Sequence, residues 1–542
     1  MNHRISWLWI GLSGLLALAA MAALAHYLVP WGPWAFSDSV AYVDAARGVL
    51  SGRGLTVRQD PEQSLPLAHY PPLYPLTLAA VMGCCHVDWL TAARWIDVIA
   101  YGVFVFLLAE LSRRALSRTP WVGVLVAALI ATSPVVVRNY SGIMTEPLFF
   151  TLSLMALVTL WAYARRPRDG LLLAAGSAAA AAVLTRYAGL FLAPALALAP
   201  WLAANQRRLR ASGLALAPFL LAYGVWNAIM HARGNTLHFA WPSWAEVLTK
   251  TQGLIRALPE VFWLGWLEMP RLYKAIPGMA WVAVGLTAGA WLAALLARRK
   301  LPAPSARAAL DAVLLAWGLA LTYLLFFYAA HLFRRPEPDF NPRVAAPLFW
   351  LGLYGWSLTP FVLYHLLGLQ ARRVGHLSLL IPPVALLLGV IAYQAPVTKA
   401  MLYTLHGYGL GYTAKPWHQP KAWARLRAWP EDIPLMADEA EAMLLWADRP
   451  AYLLPEIQGR RDIIPLGEGE GYHQAYREGR LAVVHFLPSW PRWVKIYQHN
   501  ADEAVDLLFH RREPCVRTEL FELFYNGPRA AELCDTGQRS GP

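Results

Sequence analysis

The sequence predicts a polytopic α-helical membrane protein that ends in a small α/β domain. Of 542 residues, 57% are apolar and 25 are Trp, a composition that water-soluble folds rarely show. Apolar runs long enough to cross a bilayer recur from residue 5 to residue 395. Beyond Trp417 polarity rises, and short strand-like and helix-like pieces alternate.

The first run, residues 5–29, follows a short basic flank. Its roughly 25 largely apolar positions exceed the roughly 7–15 of a signal-peptide core, so it reads as a retained first helix. Further runs at 89–111, 120–138, 145–163, 170–185, 187–203, 212–230, 276–297, 308–330, 344–366 and 377–395 bring the expected total to about eleven spans. Arg113-Arg114, Arg165-Arg166-Pro167-Arg168, Arg207-Arg208-Leu209-Arg210, Arg298-Arg299-Lys300 and Arg372-Arg373 fall between alternate pairs of runs, the pattern of cytoplasmic loops. The N-terminus is then inside, and an odd number of spans sends the polar tail outside.

Charge follows the same division. Residues 415–542 hold 16 Lys+Arg against 19 Asp+Glu, a net of −3, so the chain's net +13 becomes +16 over residues 1–414. This basicity belongs to membrane loops and not to a nucleic-acid face. The expected organisation is a transmembrane part, 1–414, whose first outer loop is 30–88, and a soluble extracytoplasmic α/β part, 415–542. In the latter, Pro434–Ala437, Ala451–Leu454 and Leu481–Phe486 read as strands and Asp438–Trp446 as a helix. Four Cys are too few for a disulfide framework and lack zinc-type spacing, but Cys515 and Cys534 are able to bridge if the tail is extracytoplasmic. No solenoid repeat, Walker loop or dinucleotide glycine loop occurs. A divalent metal is compatible with the sequence but nothing indicates one.

Candidate chemistry collects on the outer side. Phe36-Ser37-Asp38-Ser39-Val40-Ala41-Tyr42-Val43-Asp44 places two carboxylates just beyond the first span. Acids at the hydrocarbon edge need water, a partner or a substrate, while Ser37 or Asp38 could equally cap a helix running to Leu50. Spacing of Val40, Val43, Ala46 and Leu50 suits a helix lying in the interface, with Asp38, Tyr42 and Ala45 on another face, and Asp44 is placed to pair with Arg47. His69-Tyr70-Pro71-Pro72-Leu73-Tyr74-Pro75 is a proline-punctuated entry to the next apolar segment. Trp241, Trp244, Trp263 and Trp266 read as an aromatic belt at the headgroup level, with the lining of a lipid groove as the alternative.

Glu146, in Thr145-Glu146-Pro147, opens an apolar helix, where it serves either the helix N-terminus or a site. Arg186 sits between two apolar runs with almost no loop around it, so it needs an anion or must snorkel. Arg343 occupies the outer end of a later helix, with Glu337 and Asp339 as local partners. Arginine's planar fork suits a phosphate, and a carboxylate suits a hydroxyl or amine that must lose a proton to attack.

The order of these features resembles the GT-C class of integral-membrane glycosyltransferases, especially the bacterial branch near protein O-mannosyltransferases and aminoarabinose transferases. Its carriers are Asp38-Ser39-Val40-Ala41-Tyr42, His69-Tyr70-Pro71-Pro72-Leu73-Tyr74, Thr145-Glu146-Pro147, Thr185-Arg186-Tyr187-Ala188-Gly189 and Asn341-Pro342-Arg343. The tail fragments 433–438 and 448–455 resemble the soluble end domain of the same group. The resemblance implies a catalytic base at Asp38 and a donor phosphate held by Arg186 and Arg343. Tyr42, Asp44, His69, Tyr70, Glu146 and Tyr187 are further candidates to line the site. Many relatives carry Asp-Glu where this chain has Asp38-Ser39, which removes a second carboxylate and weighs against a metal.

The expected activity is inverting transfer of a hexose or pentose from a polyprenyl-phosphate carrier to a lipid, glycan or protein acceptor. It would take place at the outer face of the cytoplasmic membrane, without cofactor or nucleic acid. A flippase for a lipid-linked sugar and a glycan polymerase are the alternatives, although the matched halves common in transporters are missing.

Overall fold

Apolar helices account for most of the described residues. A computed structural model describes residues 3–67, 70–117, 119–202, 207–233, 238–259, 304–335, 342–368, 380–454, 474–487 and 514–534, with positions 289, 292 and 471. In chain order the elements are α1 (His3–Leu28), α2 (Ser37–Leu50), β1 (Thr56–Arg58), β2 (Ser64–Pro66), α3 (Leu73–Cys85), α4 (Trp89–Ala115), α5 (Pro120–Ala131), α6 (Pro134–Tyr140), α7 (Glu146–Arg165) and α8 (Asp169–Thr185). A 3-10 segment, Tyr187–Phe191, leads into α9 (Leu192–Leu198), α10 (Arg208–Ala232), β3 (His238–Phe239), α11 (Trp244–Pro259), α12 (Pro304–Phe333), β4 (Arg334–Arg335), α13 (Pro342–Gly368) and α14 (Ile381–Tyr408). The tail holds α15 (Pro420–Ala428), β5 (Leu435–Ala437), α16 (Ala440–Ala447), β6 (Tyr452–Leu453), β7 (Ala482–Phe486), β8 (Val516–Arg517), β9 (Phe521–Phe524) and α17 (Ala530–Leu533).

These elements form two units, and the division is not a linear cut. Residues 1–30, 68–74 and 90–407 make one; residues 31–67, 75–89 and 408–542 make the other. Among the described residues of the first, α1, α4, α7, α10, α12 and α14 are long and apolar enough to cross a membrane, and the bent pair α5–α6 adds a seventh. The protein is a multi-pass membrane protein. Apart from positions 289 and 292, the expected span 276–297, together with Trp263 and Trp266, lies outside the described residues.

Two expected spans are broken, each for a local reason. Over 120–138 the chain bends by 67° between α5 and α6. Pro134 has no N–H to continue the ladder and drives Ser133 to φ −70°, ψ 125°, while the Thr132 hydroxyl donates back to Ala128 O at 2.9 Å. Over 187–203 the segment is a 3-10 turn followed by only seven α-helical residues. Arg186 is extended there, at φ −153° and ψ 129°, and the chain folds back so tightly that a Cβ on Gly189 would lie 2.6 Å from the backbone of Val183. Glycine is required at that approach.

Arg113 also departs from expectation. It lies buried in the last turn of α4 instead of in a loop, and its guanidinium donates to Glu110 at 2.6 and 2.9 Å. Trp241 and Trp244 are 89% and 87% exposed.

The second unit is built on a five-stranded sheet ordered β6-β5-β7-β9-β8. β5 runs parallel to β6 and β7, whereas β9 runs antiparallel to β7 and β8. β5 and β7 are buried along their whole length, on both faces, the condition that favours unbroken apolar strands. Trp417, Trp423 and Phe486 pack against one another with ring centroids 5.4–6.1 Å apart at the centre of its core. Cys515 and Cys534 form a disulfide; Cys84 and Cys85 are free and exposed.

α2 belongs to this sheet unit. The expected division into an apolar face of Val40, Val43, Ala46 and Leu50 and another face with Asp38, Tyr42 and Ala45 is corrected: Tyr42 and Ala45 are buried, as are Val43, Asp44 and Ala46. The reason is that α2 packs against α16 and β1, which enclose it.

Within the sheet unit, the Tyr412 hydroxyl faces two carboxylates, Glu439 at 3.1 Å and Glu441 at 2.8 Å. Burial, together with the charges of Asp438 and Glu441, pushes the Glu439 carboxyl up to about 7. A carboxyl whose folded pKa is raised favours folding while protonated, so its contribution is complete below the ordinary value of 4.5 and is lost as pH rises to about 7. A Glu439→Gln variant is expected to flatten the fall in thermal stability between these limits and to be the more stable protein at pH 8. An unchanged slope in unfolding scans across that range would assign the effect elsewhere.

Candidate active site

Three segments distant in sequence meet at Glu146. Thr145 is the N-cap of α7 and Pro147 fills its first turn without leaving an unsatisfied N–H, which places Glu146 at the positive end of the helix. The side chain is 1% exposed. The break at Arg186 aims that guanidinium at Glu146 Oε1 in a close contact, and the same nitrogen lies 3.4 Å from Thr145 Oγ1. From the first turn of α13, Arg343 Nε donates to Glu146 Oε1 at 2.5 Å. Thr145 Oγ1 donates to the other oxygen, Oε2, at 3.1 Å.

One buried carboxylate thus holds two guanidinium groups whose side chains keep 20% and 31% of their surface exposed. Arg343 sits at a helix N-terminus, where a cation is unfavourable unless an anion accompanies it. Glu337 and Asp339, its expected local partners, lie outside the described residues; the partner observed is 197 residues away.

Other candidates cluster around this group. Tyr187 accepts from Trp226 Nε1 at 3.0 Å, and Arg334 on β4 lies within electrostatic reach of Tyr187, Tyr70 and Arg186. Arg334 was not singled out by sequence, because an Arg334-Arg335 pair reads as any basic loop. Asp97 was missed too. It is fully buried in α4 within electrostatic reach of Glu146, and among the described residues neither carboxyl oxygen has a hydrogen-bond partner. An acid inside the apolar run of α4 was the available signal.

The remaining candidates divide differently. His69 lies outside the described residues. Asp38, Tyr42 and Asp44 belong to the sheet unit, all on α2. Asp38 is half-buried in the first turn; the cap position is Phe36, whose N–H donates to Ser39 Oγ at 3.1 Å. Asp44 does not pair with Arg47. Its carboxylate is 1% exposed and accepts from the Arg58 backbone N–H at 2.7 Å and from Arg58 Nη2 at 2.6 Å. Among the described residues no group of three or more His, Cys, Asp or Glu side chains is arranged to hold a metal ion.

Residues 69–229 match the family described as dolichyl-phosphate-mannose-protein mannosyltransferase. The structure matches ArnT from Cupriavidus metallidurans bound to undecaprenyl phosphate, with a TM-score of 0.52 and 15% identity over 95% of this chain and 98% of that one. The fold is that of the GT-C class of integral-membrane glycosyltransferases. ArnT in the apo state matches at a TM-score of 0.52 and 14% identity over the full length of both chains. Archaeal oligosaccharyltransferase AglB from Archaeoglobus fulgidus, in complex with an inhibitory peptide and a dolichol-phosphate, matches at 0.50 and 13% identity, covering all of this chain and 75% of that one. No curated protein sequence matches the chain.

Removing the central carboxylate leaves two half-buried cations facing each other. Glu146→Gln is therefore expected to cost about 3 kcal/mol or more, seen as a lower melting temperature in detergent. The Glu146→Gln/Arg343→Gln double variant should lose less than the sum of the singles. Strict additivity would show that the pair is not coupled.

Proposed function

We propose that this protein is an inverting glycosyltransferase that moves a sugar from a polyprenyl-phosphate donor to an acceptor at the outer face of the cytoplasmic membrane. The observation that carries the reading is the convergence of Arg186 and Arg343 on one buried carboxylate, two guanidinium forks of the geometry that suits a lipid phosphate. The lipid phosphates named for ArnT and AglB, undecaprenyl phosphate and dolichol-phosphate, support that choice of donor.

In this mechanism Asp38 takes a proton from the acceptor hydroxyl or amine. The acceptor atom then attacks the anomeric carbon from the face opposite the phosphate. As the new bond forms, the bond from that carbon to the phosphate oxygen breaks, and its electron pair leaves with the polyprenyl phosphate. Arg186 and Arg343 hold the charge that grows there, a contribution of roughly 3–4 kcal/mol per well-placed donor in other enzymes. In this reading Tyr70 and Tyr187 border the donor.

The same reading has eleven spans, an N-terminus inside and the sheet domain outside, where it binds the acceptor. The Cys515–Cys534 disulfide supports an oxidising compartment for that domain.

The test is transfer of labelled sugar from a small panel of polyprenyl-phosphate donors by purified protein in liposomes. Wild type should transfer label to an acceptor or release it, and Asp38→Asn should lower the rate by at least about 100-fold with membrane insertion intact. An active Asp38→Asn variant would remove the proposed base. Labelled lipid that changes leaflet equally with both proteins, with every donor intact, would replace the transferase with a flippase.

A further inference from the structure

The carbonyl groups at the end of a helix have no partner within it, and α16 is only eight residues long. Arginines from other elements supply those partners. Arg47 of α2 donates through Nη1 to Leu444 O and through Nη2 to Leu445 O, each at 2.8 Å, and Arg427 donates to Trp446 O at 2.7 Å. A cation here also meets the negative end of the helix dipole.

The C-cap, Asp448, reinforces the joint. It adopts the left-handed conformation at φ 56° and ψ 28°, one of two non-glycine residues with positive φ among those described. That turn brings its carboxylate 3.4 Å from Arg47 Nη1 and into close contact with Arg58 Nη2, while Arg58 also grips Asp44. Two residues of α2 are thereby locked to the end of α16.

The other end of α2 is tied to the same domain. The Tyr412 N–H donates to Ala35 O at 2.8 Å, and Thr413 Oγ1 donates to Pro33 O at 2.8 Å. Tyr412 then reaches the start of α16 through Glu439 and Glu441. The connections close a ring from the chain before α2, through Tyr412 and the length of α16, back to Arg47. Asp38 lies inside the ring, nine positions or about 13 Å of helix rise from Arg47.

Resting on the assignment of Asp38 as the base, we infer that Arg47, Arg58 and Asp448 are positioning residues: the sheet domain grips α2 by the end of α16 and so sets where the Asp38 carboxylate stands. They touch no reacting atom. A displacement of about 1 Å in a catalytic group is enough to cost about 100-fold in rate.

The experiment compares Arg47→Met, Arg47→Lys and Asp448→Asn in the full-length protein. Asparagine tolerates the left-handed conformation, so Asp448→Asn removes the charge while keeping the turn and serves if Arg47→Met does not fold. Two readouts are taken: kcat and donor KM, and hydrogen–deuterium exchange of peptides covering residues 37–44. Arg47→Met should lower kcat by about 10- to 100-fold at unchanged donor KM and speed exchange in 37–44, with β5 and β7 still protected. Arg47→Lys should recover part of both, and Asp448→Asn should move both in the same direction by less.

Unchanged exchange in 37–44, or faster exchange with kcat intact, would overturn the proposal. If Asp38→Asn itself stays active, the base assignment fails, and the exchange data still decide whether the grip exists.

Discussion

A carboxylate that is 1% exposed among apolar helices stays charged only if cations accompany it, and at Glu146 two do. That requirement organises the membrane unit. It draws the start of α7, the break after α8 and the start of α13 to one point, although residues 146, 186 and 343 are far apart in the chain. The features around each make the meeting possible. Pro147 starts α7 where the acid is needed, Gly189 lets the chain turn back on α8 so that Arg186 stays at the break, and Pro342 opens α13 directly before Arg343. Neither arginine could lie at an apolar boundary without an anion, and Glu146 supplies it for both.

Much of this was readable as separate pieces. Hydropathy marked most of the spans described, because twenty apolar residues in a row have few other uses, and the strands flanking α16 were readable from short apolar runs between turn residues. Glu146, Arg186 and Arg343 each stood out as charges at apolar boundaries. Their mutual pairing did not, since one sequence carries no information on which distant charges meet. Local reasoning assigned Arg343 to Glu337 and Asp339, and Asp44 to Arg47, because neighbours in sequence are the partners it can see. For Asp44 the observed partner is Arg58, fourteen residues on, and Arg343 meets Glu146 across 197 residues, a contact no local reading offers. Broken spans were hidden for a related reason, as Pro134 and Gly189 change the backbone without lowering the hydropathy of the run.

Least readable was the membership of α2. Its residues 37–50 precede α16 by almost 400 positions, yet their arginine completes that helix. A short helix with unpaired terminal carbonyls and a half-buried arginine with nowhere local to donate are complementary problems, and each solves the other. Neither problem shows in a linear reading, where Arg47 looks like an ordinary partner for the acid three residues earlier. The contact groups the proposed base with the polar tail instead of with the spans that flank it in sequence.

The central claim is that the arginines gathered by Glu146 are a seat for a lipid phosphate. Its most direct test is binding of undecaprenyl phosphate to purified protein in nanodiscs, beside the uncharged alcohol undecaprenol, for wild type, Arg186→Gln and Arg343→Gln. The account predicts at least about tenfold weaker binding of the phosphate by each variant, a loss of about 1.4 kcal/mol, with no change for the alcohol. Equal affinities of all three proteins for undecaprenyl phosphate would contradict it.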